Sequence, residues 1–494
     1  MNDSIIPFGK GGLGVIALYL VGLLLIGWYG RRARQEESLR DFYLAGPGVG
    51  FIALLLTLYA TQYSGNTMLG FSGRAYRTGF TFLVSVHFMI SIIIGYLLFA
   101  PQLHRLSKKF RFITPTDFLN HRYRSRTVNL LGLGIMVAAL GNYLLAQLIA
   151  MGRALQGLTT MPPQTAFVAG VIILATIILV YETLGGFRAV VWTDVLQGTI
   201  LMIGFAALVY LVLDRYGSLG ETIKLLLEGD PSDRAKVLPP SANESRRWIS
   251  YVILFGLGAS LYPQAIQRIF AARSERGLQR SLAVMAFLPF TTALIVVFVG
   301  VIGAAHMPDL NNAQTDRILT LICREVQAGS AFGYWLVVVL FAAILGALMS
   351  TADSCLLTLS SMITKDFYHP YVNPHASEAK LTQLGKTCSW IIVVLMAGLA
   401  IYLNQLEQKP TLVKLLDMKF DMLIQLVPAF VVGIHTQKLR ALPVALGIVV
   451  GLSVTFGLYG NESVQAVGFH SGLYGLVANL LVAGLGSYLV RRLP

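Results

Sequence analysis

A cluster of hydroxyl-bearing residues within 346–354 has the spacing of an oxygen-lined cation site. Four residues follow the helical spacing i, i+3, i+4 and i+7: Ala347, Ser350, Thr351 and Ser354. On an α-helix they share one face, which offers three hydroxyl groups and a carbonyl beside the carboxylate of Asp353. Hard cations bind such oxygens rather than imidazole or thiolate groups. The alternative is that each hydroxyl bonds back to its own helix, and the sequence leaves both interpretations open.

The composition places these residues in a membrane protein. The 494 residues are 55% hydrophobic and only 13% charged, whereas a soluble protein carries about 25% charged residues. A soluble fold of this length could not bury so much apolar surface. This excludes a cytosolic enzyme and a disordered scaffold. The net charge of +14 is better explained by basic membrane loops than by a nucleic-acid partner.

Apolar runs of about 20 residues, the length that a helix needs to cross a lipid bilayer, occur at about thirteen places. We place them at 12–29, 50–73, 80–103, 128–152, 164–182, 190–213, 249–270, 282–305, 333–363, 386–404, 411–434, 441–459 and 471–490. Their continuous apolar character does not fit the alternating strands of a barrel. We therefore predict an all-α integral membrane protein with about 13 transmembrane helices.

The distribution of basic residues predicts the orientation. Most Lys and Arg residues lie in alternate loops, such as 31–41 and 104–126. Because cytoplasmic loops are enriched in basic residues, we expect the N-terminus outside and the C-terminus in the cytoplasm. The expected location is the plasma membrane, as a multi-pass protein of a bacterial inner membrane.

Two of the predicted spans are interrupted in the middle. Polar residues crowd the segment 57–67, and the segment 256–263 contains two glycines and a proline. Transporters often bind substrate and ions where paired helices are broken. The two spans open the blocks 50–213 and 249–434, which contain five spans each, so the second block is expected to be an inverted copy of the first. The alternative is the ordinary tolerance of membrane helices for Gly and Pro.

Asp194 closes the motif Gly185–Asp194, about one turn inside an apolar run. A carboxylate at such a depth is costly and indicates a functional site. The alternative is a structural ion pair with a basic residue such as Arg188.

Four motifs together identify the chain as similar to the sodium/solute symporters, which include transporters of proline, pantothenate, sialic acid and glucose. The motifs are Asp41–Gly46, Leu184–Gln197, Gln267–Ser274 and Ser350–Tyr368. The resemblance covers nearly the whole chain. It implies sodium-coupled symport of a small polar organic solute, such as an amino acid, a sugar or a small carboxylate, by alternating access. It also implies a transporter that is not an enzyme and that works as a monomer.

The resemblance implies a leucine-transporter-type fold with a 5+5 inverted repeat. Residues 1–49 would form an extra N-terminal helix and a cytoplasmic loop, and 50–213 and 249–434 the two repeats. Residues 435–494 would form two C-terminal helices.

The resemblance also implies a sodium site and a candidate second cation site. The sodium ligands would be the carbonyls of Ala60, Tyr63 and Ala347 and the hydroxyls of Ser350 and Thr351. The second cation would lie at Asp194, Asp353 and Ser354. Asp353 stands where relatives with two sodium ions have a hydroxyl, and Gln62 stands where the proline transporters have an acidic residue. The coupling therefore stays open between one sodium ion, two, or one sodium ion and a proton.

The expected solute contacts are amides, hydroxyls and aromatic rings, and the expected solute-binding surfaces are the broken helices and the third and fourth spans. They are Gln62, Ser64, Asn66, Thr67, Phe82, Asn142, Gln147, Tyr262, Gln264 and Gln425. Each could instead be a hydrogen bond between helices. No arginine lies within the fourth span, which disfavours a sialic-acid-type carboxylate clamp and favours a neutral or zwitterionic solute.

Two alternatives to a sodium-coupled carrier remain. One is a proton-coupled carrier of the same fold. The other is a membrane sensor without transport activity, which is disfavoured because the sequence predicts no signalling domain. A membrane enzyme is disfavoured because the sequence has no HExxH motif and no clustered carboxylates at a metal spacing.

Overall fold

The computed structural model describes residues 8–46, 48–158, 161–315, 317–406, 412–461 and 467–492. Within these ranges the regular structure is helical, and one isolated bridge joins Val49 to Ala272. The all-α prediction is confirmed.

The α-helices are α1 (Lys10–Arg32), α2 (Leu39–Leu44), α3 (Phe51–Gln62), α4 (Phe71–Thr78), α5 (Val84–Phe110), α6 (Thr116–Tyr123), α7 (Arg126–Leu158), α8 (Pro163–Tyr216), α9 (Leu219–Glu228), α10 (Pro231–Ala235), α11 (Ala242–Gly258), α12 (Pro263–Ala271), α13 (Glu275–Met285), α14 (Ala293–His306), α15 (Asn312–Thr315), α16 (Ile318–Gly329), α17 (Ala331–Met362), α18 (His369–Tyr371), α19 (Glu378–Gln405), α20 (Leu412–Leu423), α21 (Gly433–His435), α22 (Ala441–Gly457) and α23 (Ser471–Arg492). The 3₁₀ turns are Gly79–Leu83, Ala259–Leu261, Leu288–Phe290 and Ile424–Leu426. The π-helical turns are Asn66–Gly70, Ile363–Tyr368 and Pro428–Val432.

The described residues contain nine helices that are long and apolar enough to cross a membrane, or ten when the bent pair α11 and α12 counts as one span. The protein is therefore a multi-pass membrane protein. The predicted count of thirteen is larger for two reasons. The predicted spans 164–182 and 190–213 lie in the single helix α8, and the apolar helices α3 and α22 have only 12 and 17 residues. The count of thirteen stays a prediction.

Helix α8 is bent at Gly186. A straight helix of its 54 residues would be about 80 Å long, whereas the hydrocarbon core is about 30 Å thick. Gly186 has φ 58° and ψ −149°, which breaks the helix into two arms. A Cβ atom at this position would lie 2.5 Å from the Phe42 carbonyl oxygen, so the bend requires glycine both for its backbone angles and for space.

Both predicted interruptions are present. Helix α3 ends at Gln62, Tyr63 has the non-helical angles φ −100° and ψ 82°, and a π-helical turn then leads into α4. The second interruption bends the chain by 55° between α11 and α12. Pro263 begins α12, where its missing N–H costs no hydrogen bond, and the preceding Tyr262 takes the extended backbone that proline favours.

Helix α17 is the centre of the bundle. It is buried continuously from Leu340 to Met362 and packs against α3, α7, α8 and α12. Helix α20 packs on α7 and α11. The two interrupted helices, α7, α17 and α20 therefore meet in the interior. Helix α1 packs on α8 and α17, and α22 and α23 pack on each other. The division of the chain into two inverted repeats stays a prediction.

Candidate functional site

The hydroxyls of α17 face the end of the first interrupted helix. Ser350 Oγ donates to the Ala60 carbonyl at 3.2 Å and to the Ala347 carbonyl at 3.4 Å. Thr351 Oγ1 donates to the Ala347 carbonyl at 3.0 Å. The sequence left open whether these hydroxyls bond back to their own helix or face a cation site. Both hydroxyls bond to the Ala347 carbonyl of α17, and Ser350 also bonds across to α3. All the residues involved are buried, including Tyr63.

The interrupted segment approaches α17 closely at Gly65. A Cβ atom on Gly65 would lie 2.0 Å from Leu348 Cδ2, so no larger residue fits here without movement. The Tyr63 ring packs on Tyr59 with centroids 4.7 Å apart, and the Tyr59 hydroxyl bonds to Thr292 at 2.5 Å. This close approach gives the carbonyls of α3 and the hydroxyls of α17 a common space.

The three residues of the candidate second cation site lie around an arginine. Arg268 Nη2 is 2.9 Å from Asp194 Oδ2 and 2.7 Å from Ser354 Oγ, and its Nε donates to Thr57 Oγ1 at 2.9 Å. Thr57 in turn donates to Asp194. Arg268 and Asp194 are both buried. A fixed guanidinium therefore supplies the positive charge beside Asp194, and its role was not predicted.

Asp353 belongs to the same cluster through its contact with Ser354. Its Oδ2 accepts a hydrogen bond from the Tyr181 hydroxyl at 2.5 Å, and its Oδ1 accepts one from Ser354 at 3.2 Å. Asp353, Ser354 and Asp194 thus lie in one cluster, and a cation bound by them stays a prediction.

Arg188 is not the partner of Asp194. Its Nη2 lies 3.0 Å from Asp41 Oδ1, in the first motif of the resemblance. The predicted alternative of an Arg188–Asp194 pair is wrong, although the idea of a buried ion pair at Asp194 holds with Arg268 as the partner. Arg268 lies in the motif Gln267–Ser274, where the sequence predicts a basic loop, so the spacing of residues gave no sign that its side chain turns inward.

Several predicted solute contacts are buried polar groups with free hydrogen-bonding capacity. Ser64 Oγ and both amide atoms of Gln147 and Gln264 have no partner among the described residues. Gln147 lies one turn after Tyr143 on α7, so the two share a helix face. The Tyr143 ring stacks on Tyr262 with centroids 5.3 Å apart and an angle of 8°. Unsatisfied buried groups are rare in proteins, so this cluster indicates a ligand site.

Three of the other predicted solute contacts lie near the first interruption or next to Tyr143 on α7. Gln62 and Thr67 are buried near the first interruption, and Asn142 is half-buried with an unpartnered Oδ1. The Asn66 side chain lies outside the described part of the structure.

Gln425 and Phe82 do not join the cluster. The Gln425 amide bonds to Thr455 at 3.2 Å and to the Gly472 carbonyl at 2.9 Å, toward α22 and α23. Phe82 packs on Phe71 and Phe88, and three rings separate it from Tyr262 along a row of aromatic contacts.

Lys419 is a buried charged residue that the prediction missed. Its ammonium lies 3.0 Å from the ring centroid of Tyr143 and 5.1 Å from that of Tyr262. The available signal was the lysine itself, because an ionisable residue inside an apolar run indicates function.

Comparisons with known proteins show what this chain is similar to. The Sodium:solute symporter family pattern matches residues 42–451. The chain is 25% identical to the sodium/pantothenate symporter of Escherichia coli K12 over 488 residues, which cover 97% of this chain and 96% of that protein. It is 26% identical to the sodium/proline symporter of Haemophilus influenzae over 412 residues, or 80% and 77% of the two chains. It is 24% identical to the sodium/glucose cotransporter of Vibrio parahaemolyticus, covering 90% and 84%.

Solved structures share the fold. A Na⁺-coupled sialic acid symporter in a substrate-bound outward-open state has a TM-score of 0.80 at 18% identity, covering 98% of both chains. The nucleobase-cation-symport-1 transporter Mhp1 in a closed conformation has a TM-score of 0.54 at 16% identity, covering 92% and 95%. At these identities the likeness concerns the fold alone.

Proposed function

Because the chain belongs to the sodium:solute symporter family, we propose that it imports a small polar organic solute together with sodium by alternating access. It is a transporter rather than an enzyme, and its coupling ion is Na⁺. The solute belongs to the classes that the relatives carry, namely amino acids, sugars and small carboxylates.

The observation that carries the proposal is the 3.2 Å approach of Ser350 Oγ to the Ala60 carbonyl across the first interruption. We assign sodium to the carbonyls of Ala60, Tyr63 and Ala347 and the hydroxyls of Ser350 and Thr351. All five ligands are neutral oxygens, which suits a hard monovalent cation. Rotation of the two hydroxyls away from the carbonyls would turn oxygen lone pairs toward the ion.

Sodium in this position would join α3 to α17. The interrupted segment carries Ser64, so fixing it would also fix one side of the solute site. Coupling of this kind is a reciprocal binding energy, and the solute must tighten sodium binding as much as sodium tightens solute binding. The inward sodium gradient would then drive accumulation, and the membrane potential would add about 2.3 kcal/mol per net charge per 100 mV.

We propose a stoichiometry of one sodium ion. Arg268 already neutralises Asp194 and bonds to Ser354, so a second cation would have to bind beside a buried guanidinium. Like charges this close repel strongly in a dry interior. The alternatives are a second cation at Asp194, Asp353 and Ser354, and a proton carried by Asp353.

The proposed solute site lies between the two interruptions and the facing surface of α7. Its best-supported contacts are Ser64, Gln147, Tyr262 and Gln264, because these buried groups are unpartnered or stack at the break. Gln62, Asn66, Thr67 and Asn142 complete the proposed lining. Gln425 and Phe82 are weaker candidates, since their contacts lie elsewhere.

Alternating access requires the ends of the bundle to open in turn. At the end predicted to be cytoplasmic, Asp366 accepts hydrogen bonds from Thr114 at 2.8 Å and Thr116 at 2.5 Å, and Lys365 bonds to Asp117. We propose that these contacts close the inner side and break when sodium and solute are released.

The finer architecture is part of the proposal. It comprises thirteen spans, inverted repeats at 50–213 and 249–434, an external N-terminus, a cytoplasmic C-terminus and a monomer in the plasma membrane. The support is the pair of interruptions at corresponding positions and the fold shared with Na⁺-coupled transporters.

Reconstituted vesicles test the proposal. Uptake of radiolabelled pantothenate, proline and glucose is measured with an imposed sodium gradient, an imposed proton gradient, or neither. We expect the sodium gradient to stimulate uptake of at least one of them, with no stimulation by protons alone. Stimulation by the proton gradient without sodium would favour the proton-coupled carrier. Binding without uptake under any gradient would favour a sensor.

A further inference from the structure

Lys419 places an ammonium group inside the bundle beyond the reach of any described hydrogen-bond acceptor. Its side chain is fully buried, and Nζ has no hydrogen-bond partner in the part of the chain that the structure describes. An ammonium carries three donors, and leaving them unpaired in a dry interior is costly. The faces of Tyr143 and Tyr262 stabilise the charge by a cation–π contact, but this offsets only part of the cost.

The carboxylates on the same helix are engaged elsewhere. Asp417 accepts a hydrogen bond from the Tyr251 hydroxyl at 3.2 Å, and Asp421 accepts one from the Gly472 N–H at 3.0 Å. Each is two positions from Lys419, so its side chain points to a different side of α20. Neither carboxylate forms an ion pair or a hydrogen bond with Lys419 among the described residues, so the ammonium has no direct partner on its own helix.

The two rings that contact Lys419, Tyr143 and Tyr262, lie at the proposed solute site. Tyr262 is the last residue before α12, at the second interruption. Ser64, Thr351 and Tyr262 lie beside the Tyr143 hydroxyl. The ammonium of Lys419 thus faces the site in which the unpartnered hydroxyl and amide groups gather.

We propose that Lys419 is the counter-charge for a carboxylate, so that the transported solute is a small organic anion. The inference rests on the proposed symport function and narrows its solute class. A neutral solute would leave the ammonium uncompensated, and a zwitterion would bring a second ammonium into a site whose other proposed contacts are all neutral. A monoanion matches the one positive charge and leaves amides and hydroxyls for its polar groups.

The same geometry links the anion to sodium. Thr351 is both a proposed sodium ligand and a neighbour of the Tyr143 hydroxyl. A carboxylate bound near Tyr143 would lie between two positive charges, the sodium ion at Thr351 and the ammonium of Lys419. Each ion would raise the affinity for the other, which is the reciprocal coupling that symport needs. The N-terminus of α12, which starts directly after Tyr262, adds a partial positive charge.

A cavity lies beside the part of α20 that contains Lys419. It has a volume of about 360 Å³ and is lined by both neighbours of Lys419 on α20, Asp417 and Asp421, and by Arg74, Tyr251 and His470. Its charged lining contains Arg74 and Arg247 beside the two carboxylates, so a solute in this cavity would meet both signs of charge.

Thermal unfolding of the purified protein tests the proposal with matched probes. Each carboxylate is paired with a neutral analogue: pantothenate with panthenol, lactate with lactamide and benzoate with benzamide. Glucose and proline represent the neutral and zwitterionic classes. Unfolding is measured in sodium chloride and in choline chloride for the wild type, Lys419→Met and Lys419→Gln. Lys438→Met is the control, because it removes the same charge from an exposed position after α21.

We expect at least one carboxylate to raise the unfolding temperature in sodium while its neutral analogue does not. The Kd of that carboxylate should rise about tenfold or more in both Lys419 variants and stay unchanged in Lys438→Met. The shift caused by sodium alone should persist in the Lys419 variants. Failure of every carboxylate to stabilise the wild type more than its analogue would overturn the proposal, and this comparison needs no variant to fold. Unchanged carboxylate binding in both Lys419 variants would overturn it as well.

The same measurement separates the two proposals. Sodium stabilisation without carboxylate binding would refute the anionic solute and leave sodium coupling intact. Carboxylate binding that depends on Lys419 but not on sodium would uphold the anion site and contradict sodium coupling.

Discussion

Arg268 and Asp194 form a buried ion pair with 2.9 Å between Nη2 and Oδ2, and the same Nη2 reaches Ser354 Oγ at 2.7 Å. The pair joins α12, which follows the second interruption, to α8 and α17. The guanidinium of Arg268 therefore lies in the region where the resemblance implies a candidate second cation site. Breaking one partner of such a pair leaves an unpaired buried charge, which is strongly destabilising.

Replacing Asp194 by Asn should lower the free energy of unfolding by about 3–5 kcal/mol, because it leaves the Arg268 guanidinium without its counter-charge. Denaturant unfolding in detergent measures the change. The control is Glu325→Gln, which removes an exposed pair with Arg215 at 3.4 Å and should cost less than about 1 kcal/mol. Equal, small effects for the two variants would show that the Arg268 pair is not structural.

Replacing Gly65 by Ala should impair sodium-stimulated uptake, since the new methyl group would meet Leu348 and push the interrupted segment away from α17. Shortening Leu348 to Ala in the same chain should restore part of the activity. Gly134→Ala is the matched control, because nothing lies within 4 Å of a Cβ at that helical position. Normal uptake by Gly65→Ala alone would argue against a tight fit at the interruption.

The dependence of uptake on sodium concentration should be hyperbolic, with a Hill coefficient near one, because Arg268 takes the place of a second ion. Initial rates measured at constant ionic strength provide the test. A coefficient approaching two would instead support a second cation at Asp194, Asp353 and Ser354.

Uptake of a monoanion with one sodium ion should move no net charge. A potassium diffusion potential imposed with valinomycin should therefore change the initial rate by less than about twofold, whereas each net charge would add about 2.3 kcal/mol per 100 mV. Strong stimulation by an inside-negative potential would contradict either the single sodium ion or the anionic solute.

The interruptions and the face of α17 could be predicted from the sequence, because both depend on local patterns. Polar residues in an apolar run, Pro263 and the spacing of Ser350 and Thr351 are visible without knowledge of distant contacts. The number of spans was harder to predict from the lengths of apolar runs. Two predicted spans lie in the single helix α8, which bends at Gly186, and helices α3 and α22 are shorter than the usual membrane-spanning helix.

The partners of charged residues could not be predicted, because they depend on which helices meet. Arg188 and Asp194 lie in the same short sequence motif. Arg188 nevertheless pairs with Asp41, and Asp194 pairs with Arg268. Lys419 shows the same limit: its apolar surroundings are visible in the sequence, but its position over Tyr143 is not. The preference for a neutral or zwitterionic solute came from the absence of an arginine in the fourth span, and Lys419 was not considered.

Equilibrium binding of ²²Na⁺ to the purified protein tests the sodium site most directly, because it requires no knowledge of the solute. The variant Ser350→Ala/Thr351→Ala is compared with the wild type and with Ser360→Ala, which removes a buried hydroxyl that donates to the Leu357 carbonyl of its own helix. We expect the double variant to fold and to bind sodium at least about tenfold more weakly, while Ser360→Ala binds normally. Unchanged sodium affinity in the folded double variant would contradict a cation held between α3 and α17.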